Sequence, residues 1–248
     1  MLKVKDKSKL KEEYDTFKEQ AEKMKEHTQG LVNMYKSGSI KNTALALFQH
    51  FTKHIAEPDK IHGVEAGFLL NTYRGGLMKA TPYEGVGYSY DVNSMYASIM
   101  CSLLNLPYKE GTFMVLTVED MKKWKTDKGI YFKYGIYRCK IEGDIKPVLF
   151  KSNPEDTYTH IDLALAQHLG YTITLTKDGK ANFLSYEGKT RLSGKALFKE
   201  YIDLLYPIKK KHKDVKVSKP LINILWGALS EKRIHKKNTA RWRTAPFS

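Results

Sequence analysis

"DVNSMYASIM", residues 91–100, follows the apolar and aromatic run "GVGYSY", residues 85–90. The pattern predicts a strand that ends in Asp91, a turn through small polar residues, and a helix that carries Tyr96. A surface turn accounts for that much. A nucleoside triphosphate site accounts for it as well: a carboxylate at a strand end, beside backbone N–H groups at a helix start, suits a divalent cation holding a triphosphate. Tyr96, five residues on, can pack flat beneath a sugar and exclude a 2′-hydroxyl by steric contact. Metal ions do most of the work in phosphoryl transfer, so such a site needs carboxylates and cations rather than a protein nucleophile.

The chain has 248 residues, 42% of them apolar, which allows one large or two small domains with a true core and excludes a disordered tail. Its two cysteines, Cys101 and Cys139, form neither a metal spacing nor a disulfide framework, which implies a reducing compartment. No stretch approaches the roughly 18 apolar residues of a membrane span. The opening residues mix charges of both signs, unlike a secretory signal or a transit peptide. The net charge is +15, and its distribution is uneven. From Lys189 to Ser248 there are 16 Lys/Arg against 4 Asp/Glu, whereas the first 28 residues hold 8 basic and 7 acidic groups. A basic zone of that density favours a polyphosphate partner, because each neutralised phosphate releases counterions.

Along the chain, residues 7–28 read as a charged, solvated helix. "IKNTALALFQHF", 40–51, reads as a helix whose Leu45, Phe48 and Phe51 face a core. "YRGG", 73–76, breaks the pattern with paired glycines. Strand-like runs follow at "TFMVLTV", "GIYFKYGIYRCKIEG" and "KPVLFK", then a helix at 161–169 stopped by Gly170. "YTITLTKDGKANFLSYEG" reads as a hairpin turning at Asp178–Gly179. The last third predicts an amphipathic helix with Leu197, Tyr201, Leu204 and Leu205 on one face. A second helix follows, capped by Ser218 with Pro220 in its first turn. A connection this short makes the pair an antiparallel hairpin.

On the second helix Lys219, Asn223 and Trp226–Gly227 recur at i, i+4 and i+7/i+8, which stacks an ammonium, an amide and an aromatic on one face. Lys209 and Lys219 each lie five residues from Asp214, so the hairpin can aim both ammonium groups at one anion. A solvated lysine face, a core tryptophan and a glycine at a crowded crossing explain the same residues equally well.

Taken together and in order, these segments resemble a known family. "DVNSMYASIM" is similar to motif A of family B DNA polymerases, usually Asp-x-x-Ser-Leu-Tyr-Pro-Ser. "KPLINILWG" is similar to their motif B, Lys-x-x-x-Asn-Ser-x-Tyr-Gly. "YRGG", 18 residues before Asp91, resembles the Tyr-x-Gly-Gly element of the protein-primed branch found in phage, linear plasmids and related selfish elements. "YTHIDLALAQHLGY" and "ALFKEYIDLLYPIKKK" resemble the segments between motifs A and B in that branch. The resemblance runs from about residue 40 to 235.

The resemblance implies an α+β fold: part of a polymerase palm, a mixed sheet carrying Asp91, and an antiparallel two-helix fingers hairpin, preceded by N-terminal helices. The implied layout is a helical segment at 1–60, a partial palm with a strand-rich insertion at 61–190, fingers at 191–235 and a basic tail at 236–248. The insertion, within 105–190, is where protein-primed enzymes contact the priming protein or DNA. By the same resemblance Asp91 and the Val92 carbonyl bind Mg²⁺, with Asp91 catalytic. Asn93, Ser94 and Met95 line the triphosphate, and Tyr96 is the steric gate. Lys209, Lys219 and Asn223 meet the incoming nucleotide; Tyr73, Gly75, Gly76, Trp226 and Gly227 meet DNA. The implied partners are primer–template DNA, deoxynucleoside triphosphates and a terminal priming protein, with no membrane. A mitochondrion or the host cell of a viral element is the implied setting.

The chain departs from the family pattern at several points. Ala97 replaces a proline, Ile224 a serine and Trp226 a tyrosine, and Leu77 and Met78 stand where polar residues are usual. Motif C, a Tyr-x-Asp-x-Asp turn that supplies the second metal-binding aspartate, is not found after motif B. Two-metal catalysis needs both aspartates. The expectation is therefore a polymerase fragment that binds primer–template in a salt-dependent way and extends it little or not at all on its own; the alternative is a catalytically inactive DNA-binding remnant.

Overall fold

The computed structural model describes residues 9–55 and 58–230, with the backbone of 235–236 and 242–243. The expected basic tail thus lies largely outside the described residues. In chain order the helices are α1 (Leu10–His27), α2 (Met34–Ser37), α3 (Ile40–Thr52), α4 (Gly63–Thr72), α5 (Met95–Met100), α6 (Val118–Lys122), α7 (His160–His168), α8 (Gly194–Lys211) and α9 (Ser218–Leu229). The strands used below are β1 (Thr112–Met114), β2 (Lys125–Thr126), β3 (Gly129–Ile130), β4 (Gly135–Glu142), β5 (Thr157–Thr159), β6 (Thr172–Leu175) and β7 (Phe183–Ser185). Contacts divide the chain into two units. The first takes Met1–Glu57, Tyr90–Leu106 and Leu192–Lys232; the second takes Pro58–Ser89, Pro107–Arg191 and Arg233–Ser248. No helix among the described residues is long and apolar enough to cross a membrane.

The first unit is helical. The i, i+3, i+4 spacing of Phe198, Tyr201, Ile202, Leu205 and Ile208 gives α8 one apolar face. That face buries against Leu221, Ile222 and Leu225 of α9, with α3 packed on both. Each fully buried leucine contributes about 1.5–3 kcal/mol. The Tyr201 hydroxyl, fully enclosed, donates to the Leu221 carbonyl at 2.7 Å and pins the two helices in register. Gly194 opens α8 against the end of α5, where a Cβ would stand 2.2 Å from the Met100 carbonyl. The Gly194 and Lys195 amides donate to Leu104 and Ser102 there.

Two expectations for this unit change and one holds. Charged α1 is not wholly solvated: Ala21 and Met24 are fully buried, and Gln20 clamps the α8–α9 turn. Its Nε2 donates to the Asp214 carbonyl at 2.9 Å, and its Oε1 accepts from the Val217 amide at 3.2 Å. On α3 the expected Leu45, Phe48 and Phe51 do pack against the core, half-buried, beside the enclosed Thr43, Ala44 and Leu47. Ser218 is not a cap. It lies inside the first turn of α9, buried, donating to the Val215 carbonyl at 2.8 Å, and Val217 takes the cap position.

The second unit is built on β4. Its five-stranded sheet runs β1-β7-β4-β5, with β6 also on β4, and every pairing is antiparallel rather than mixed. Tyr137, Phe183, Tyr158 and Leu163 pack on the α7 side, whereas Ile136 and Leu184 face Phe68 of α4. Helix α7 ends as expected, with Gly170 at φ +79° beyond His168. The 171–188 segment is not a hairpin. Arg138 accepts from the Thr176 amide and donates to the Asn182 carbonyl, so β6 and β7 lie end to end along one side of β4. Residues 176–182 loop out between them. The buried Asn182 side chain closes that loop on Leu116 and Thr176, and Arg138 pairs with Asp178 at 2.5 Å.

Of two other strand readings, one fails and one is cut short. "KPVLFK" forms a tight turn in which Leu149 and Phe150 both donate to the Lys146 carbonyl, burying Phe150 beside Tyr158 and Tyr171. "TFMVLTV" stops at Met114 because Thr117 and Asp120 form a capping box that starts α6. Residues 86–92 are also not a strand, and Asp91 is therefore not carried on a sheet. A strand needs a ladder partner, and among the described residues 86–92 has none; Tyr88 and Tyr90 are 83% and 92% exposed.

We expect Gly194→Ala to destabilise the first unit by about 2 kcal/mol or more, as overpacking against backbone does, and Tyr201→Phe by about 1 kcal/mol, both read by urea unfolding. In the second unit the Arg138 guanidinium beside Asp178 holds its carboxyl at about 2, and the Thr117 hydroxyl does the same for Asp120. Both lie below the usual carboxylate range, so their stabilisation is complete above that range and is lost as pH falls towards about 2. The double variant Asp120→Asn/Asp178→Asn should flatten the loss of stability across that window, followed by circular dichroism.

Candidate functional site

The residues of "DVNSMYASIM" form a solvent-facing turn on the first unit. Asp91, Val92 and Asn93 are exposed, and the Val92 carbonyl accepts from the Met95 amide at 3.3 Å. Ser94 holds the left-handed conformation (φ 56°, ψ 37°) ahead of α5. A non-glycine residue there costs about 1–2 kcal/mol, so the surroundings must hold it. Its Oγ donates to Asn93 Oδ1 at 3.2 Å and accepts from Lys209 Nζ at 2.6 Å. Lys209 sits in the last turn of α8, its Nζ 5.7 Å from the Tyr206 ring. A short charge-assisted bond thus joins residues 115 positions apart. Helix α5 buries Ala97 and Met100 in the helical core. Met95 and Tyr96 remain about half exposed, beside the turn.

On α9 the expected face is present. Lys219, Asn223, Trp226 and Gly227 are exposed, opposite the buried Leu221, Ile222 and Leu225. Of the competing explanation, the core tryptophan and the crowded glycine do not hold, whereas the solvated lysine does. Trp226 is 48% exposed, and a Cβ at Gly227 would meet nothing within 4 Å. Asp214, midway between the two lysines, is engaged by Lys23 at 3.2 Å. That neighbour also lowers its carboxyl below the usual range.

Tyr73, Gly75 and Gly76 belong to the second unit. Tyr73 caps the C-terminus of α4 with 78% of its surface exposed. The residue that positions this loop is one the sequence reading passed over. Arg74 pairs with Asp162 and donates to the Lys151 carbonyl, its guanidinium lying 5.2 Å and 5.6 Å from the Tyr158 and Phe150 rings. Asp162 is already the N3 residue of the α7 capping box with Thr159. Lys151 Nζ in turn donates to the Gly75 and Gly76 carbonyls at 3.2 and 3.4 Å. The Thr-x-x-Asp of "THID" carried the signal for the capping box; nothing local in the sequence announced Arg74 or Lys151 as its neighbours.

With that geometry in view, the family follows. A family model described as DNA polymerase type B, organellar and viral, matches residues 7–240, and the chain belongs to that family. No curated protein and no solved structure matches the chain.

Arg74→Ala should destabilise the second unit by about 1.5–3 kcal/mol, because it strips a charged partner from the mostly buried Asp162. Tyr73→Ala, at an exposed position, should change stability by less than about 0.5 kcal/mol. Thermal unfolding of the two variants separates anchor from surface.

Proposed function

We propose that the chain serves template-directed addition of deoxynucleoside triphosphates to a DNA 3′-hydroxyl, as a protein-primed member of its family. One observation carries this reading. Lys209, at the end of α8, is hydrogen-bonded to Ser94, so an ammonium stands within the turn where the resemblance puts a triphosphate. In this reading the 91–100 turn belongs to the palm and the α8–α9 pair forms the fingers. Lys209 and Lys219 neutralise the phosphates, Asn223 packs against the incoming nucleotide in the nascent base pair, and Asn93, Ser94 and Met95 line the triphosphate. Tyr96 stands under the sugar and rejects a 2′-hydroxyl. Trp226 and Gly227 offer a flat ring and open backbone to the base pair and template. Tyr73, Gly75 and Gly76 meet the template strand, and the second unit's sheet is the surface offered to a terminal protein.

The Asp91 carboxylate and Val92 carbonyl are the donors for Mg²⁺. One carboxylate fits an ion that arrives with its triphosphate and keeps most of its waters. When bound, Mg²⁺ supplies charge neutralisation at the phosphates. The chain's own residues orient the triphosphate and neutralise it from the side of α8 and α9. A second reading, DNA binding without chemistry, is favoured by one feature: among the described residues no three His, Cys, Asp or Glu gather into a metal-binding group.

Titration with Mg²⁺ and a deoxynucleoside triphosphate, read by isothermal calorimetry beside a primer-extension assay, tests the proposal. Asp91→Ala should weaken triphosphate binding at least tenfold, about 1.4 kcal/mol, and leave salt-dependent primer–template binding intact. Tyr96→Val should raise affinity for ribonucleotides relative to deoxyribonucleotides. Unchanged triphosphate binding in Asp91→Ala would reject the site, whereas primer–template binding without any Mg²⁺-dependent triphosphate binding in the wild type would favour the second reading.

A further inference from the structure

Helix α4 runs directly into Tyr73 and the glycine pair, so whatever fixes α4 fixes how they are presented. The helix has ten residues, too few to hold shape or place alone. Its ties to the sheet therefore decide its position.

The tie in its first turn is Glu65, a carboxylate only 3% exposed. Its Oε1 accepts from the Tyr186 hydroxyl at 2.7 Å and from the Gly111 amide at 3.2 Å. Gly111 stands immediately before β1 and Tyr186 immediately after β7, two strands paired there through Thr112 and Ser185. One oxygen thus joins α4 to both strands. A Cβ at Gly111 would lie 2.5 Å from the Leu184 side chain and 2.8 Å from the Tyr186 ring, so glycine lets the amide come this close. Burial, and then Glu65 beside it, raise the pKa of the Tyr186 hydroxyl, which keeps it a donor.

The other oxygen sets the residue apart. Glu65 Oε2 is enclosed without a hydrogen-bond partner, the one buried side-chain N or O atom so left among the described residues. A bare buried acceptor is destabilising, and the positive end of the α4 dipole offsets part of that. A leucine in its place would hold α4 down by apolar contact without the penalty. Apolar contact has no direction, however, whereas two donors on one oxygen fix both the height and the rotation of the helix. Phe68, one turn on, meets Phe113 edge-on at 5.3 Å. At the far end Asn153 Nδ2 donates to the Asn71 carbonyl at 2.7 Å. Asp59, which accepts from the Glu110 amide at 3.0 Å, precedes the helix and leaves its rotation open. The Tyr73 amide still donates to the Leu70 carbonyl at 3.2 Å, so Tyr73 turns with α4.

We propose that Glu65 is a positioning residue for DNA binding: it fixes the rotation of α4 on Tyr186 and Gly111, and so the direction in which Tyr73 is presented. The consequence for DNA rests on the role given to Tyr73 above; the rotation does not.

The test sets Glu65→Leu, which fills the space without an acceptor, against Glu65→Gln, which keeps one. Amide hydrogen exchange at 73–76 should quicken about fivefold in Glu65→Leu, the loss of one net hydrogen bond. It should return towards wild type in Glu65→Gln, with exchange in α7 unchanged throughout. Primer–template affinity, read by fluorescence anisotropy, should fall at least about threefold in Glu65→Leu and no further when that change is added to Tyr73→Ala, as expected of a residue acting through another. Mg²⁺-dependent triphosphate binding should stay at the wild-type level. Unchanged exchange at 73–76 in folded Glu65→Leu overturns the proposal whatever the DNA result. Faster exchange in a chain whose wild type binds no primer–template leaves the rotation standing and fails the polymerase reading. An equal loss of affinity with and without Tyr73 overturns the positioning role. Tyr186→Phe removes one of the two donors and keeps the ring; it carries the same prediction and the same refutation should Glu65→Leu fail to fold.

Discussion

Ser94 is held in a left-handed backbone conformation that costs a residue with a Cβ about 1–2 kcal/mol, and the hydrogen bond from Lys209 is what the structure sets against that cost. The proposed triphosphate turn depends on this contact. Helix α5 is six residues long, too short to persist alone. It keeps its place because Ala97 and Met100 are buried and because Gly194 lets α8 start directly on its last carbonyls. The register of α8 is set by the hydrogen bond from its Tyr201 to Leu221 of α9, and the turn joining the two helices is gripped by Gln20 of α1. Each support lies in the same unit, so the position of one ammonium follows from packing along its whole length.

The second unit solves a different problem. Its sheet is hung on one long strand, with β6 and β7 in line on one side of it and an excursion between them closed by Asn182 and by Arg138–Asp178. Arginine does structural work twice more. Arg74 ties the glycine pair to α7 through Asp162, and Arg191 braces its own loop while stacking on Tyr134. A chain with 42 Lys/Arg thus spends several arginines inside its architecture and leaves lysines such as Lys125, Lys128 and Lys219 in solvent.

How much of this was legible in the sequence depended on whether the deciding interaction was local. The 160–168 and 194–211 helices could be read because periodicity, caps and a stop glycine all lie within the segment. The exposed face of Lys219, Asn223 and Trp226 could be read for the same reason. The strand expected over 85–91 failed because a strand is defined by a partner that its own residues do not contain. The hairpin at 171–188 failed likewise: Asp178–Gly179 does turn, with Gly179 at φ +75°, but Arg138 draws both flanks to itself. Charged α1 concealed Ala21 and Met24 because a few apolar positions among many charges do not show as a face. Ser94–Lys209 and Arg74–Asp162 join residues too distant in sequence for any spacing rule to pair.

The central claim is that Ser94 and Lys209 act as one device at the triphosphate turn. A double-mutant cycle with Ser94→Ala, Lys209→Ala and the pair, read as Mg²⁺-dependent deoxynucleoside triphosphate affinity, tests it most directly. The account predicts a coupling of about 1 kcal/mol or more, as for side chains in direct contact. Additive effects would contradict it, and would mean that the contact does not organise the site.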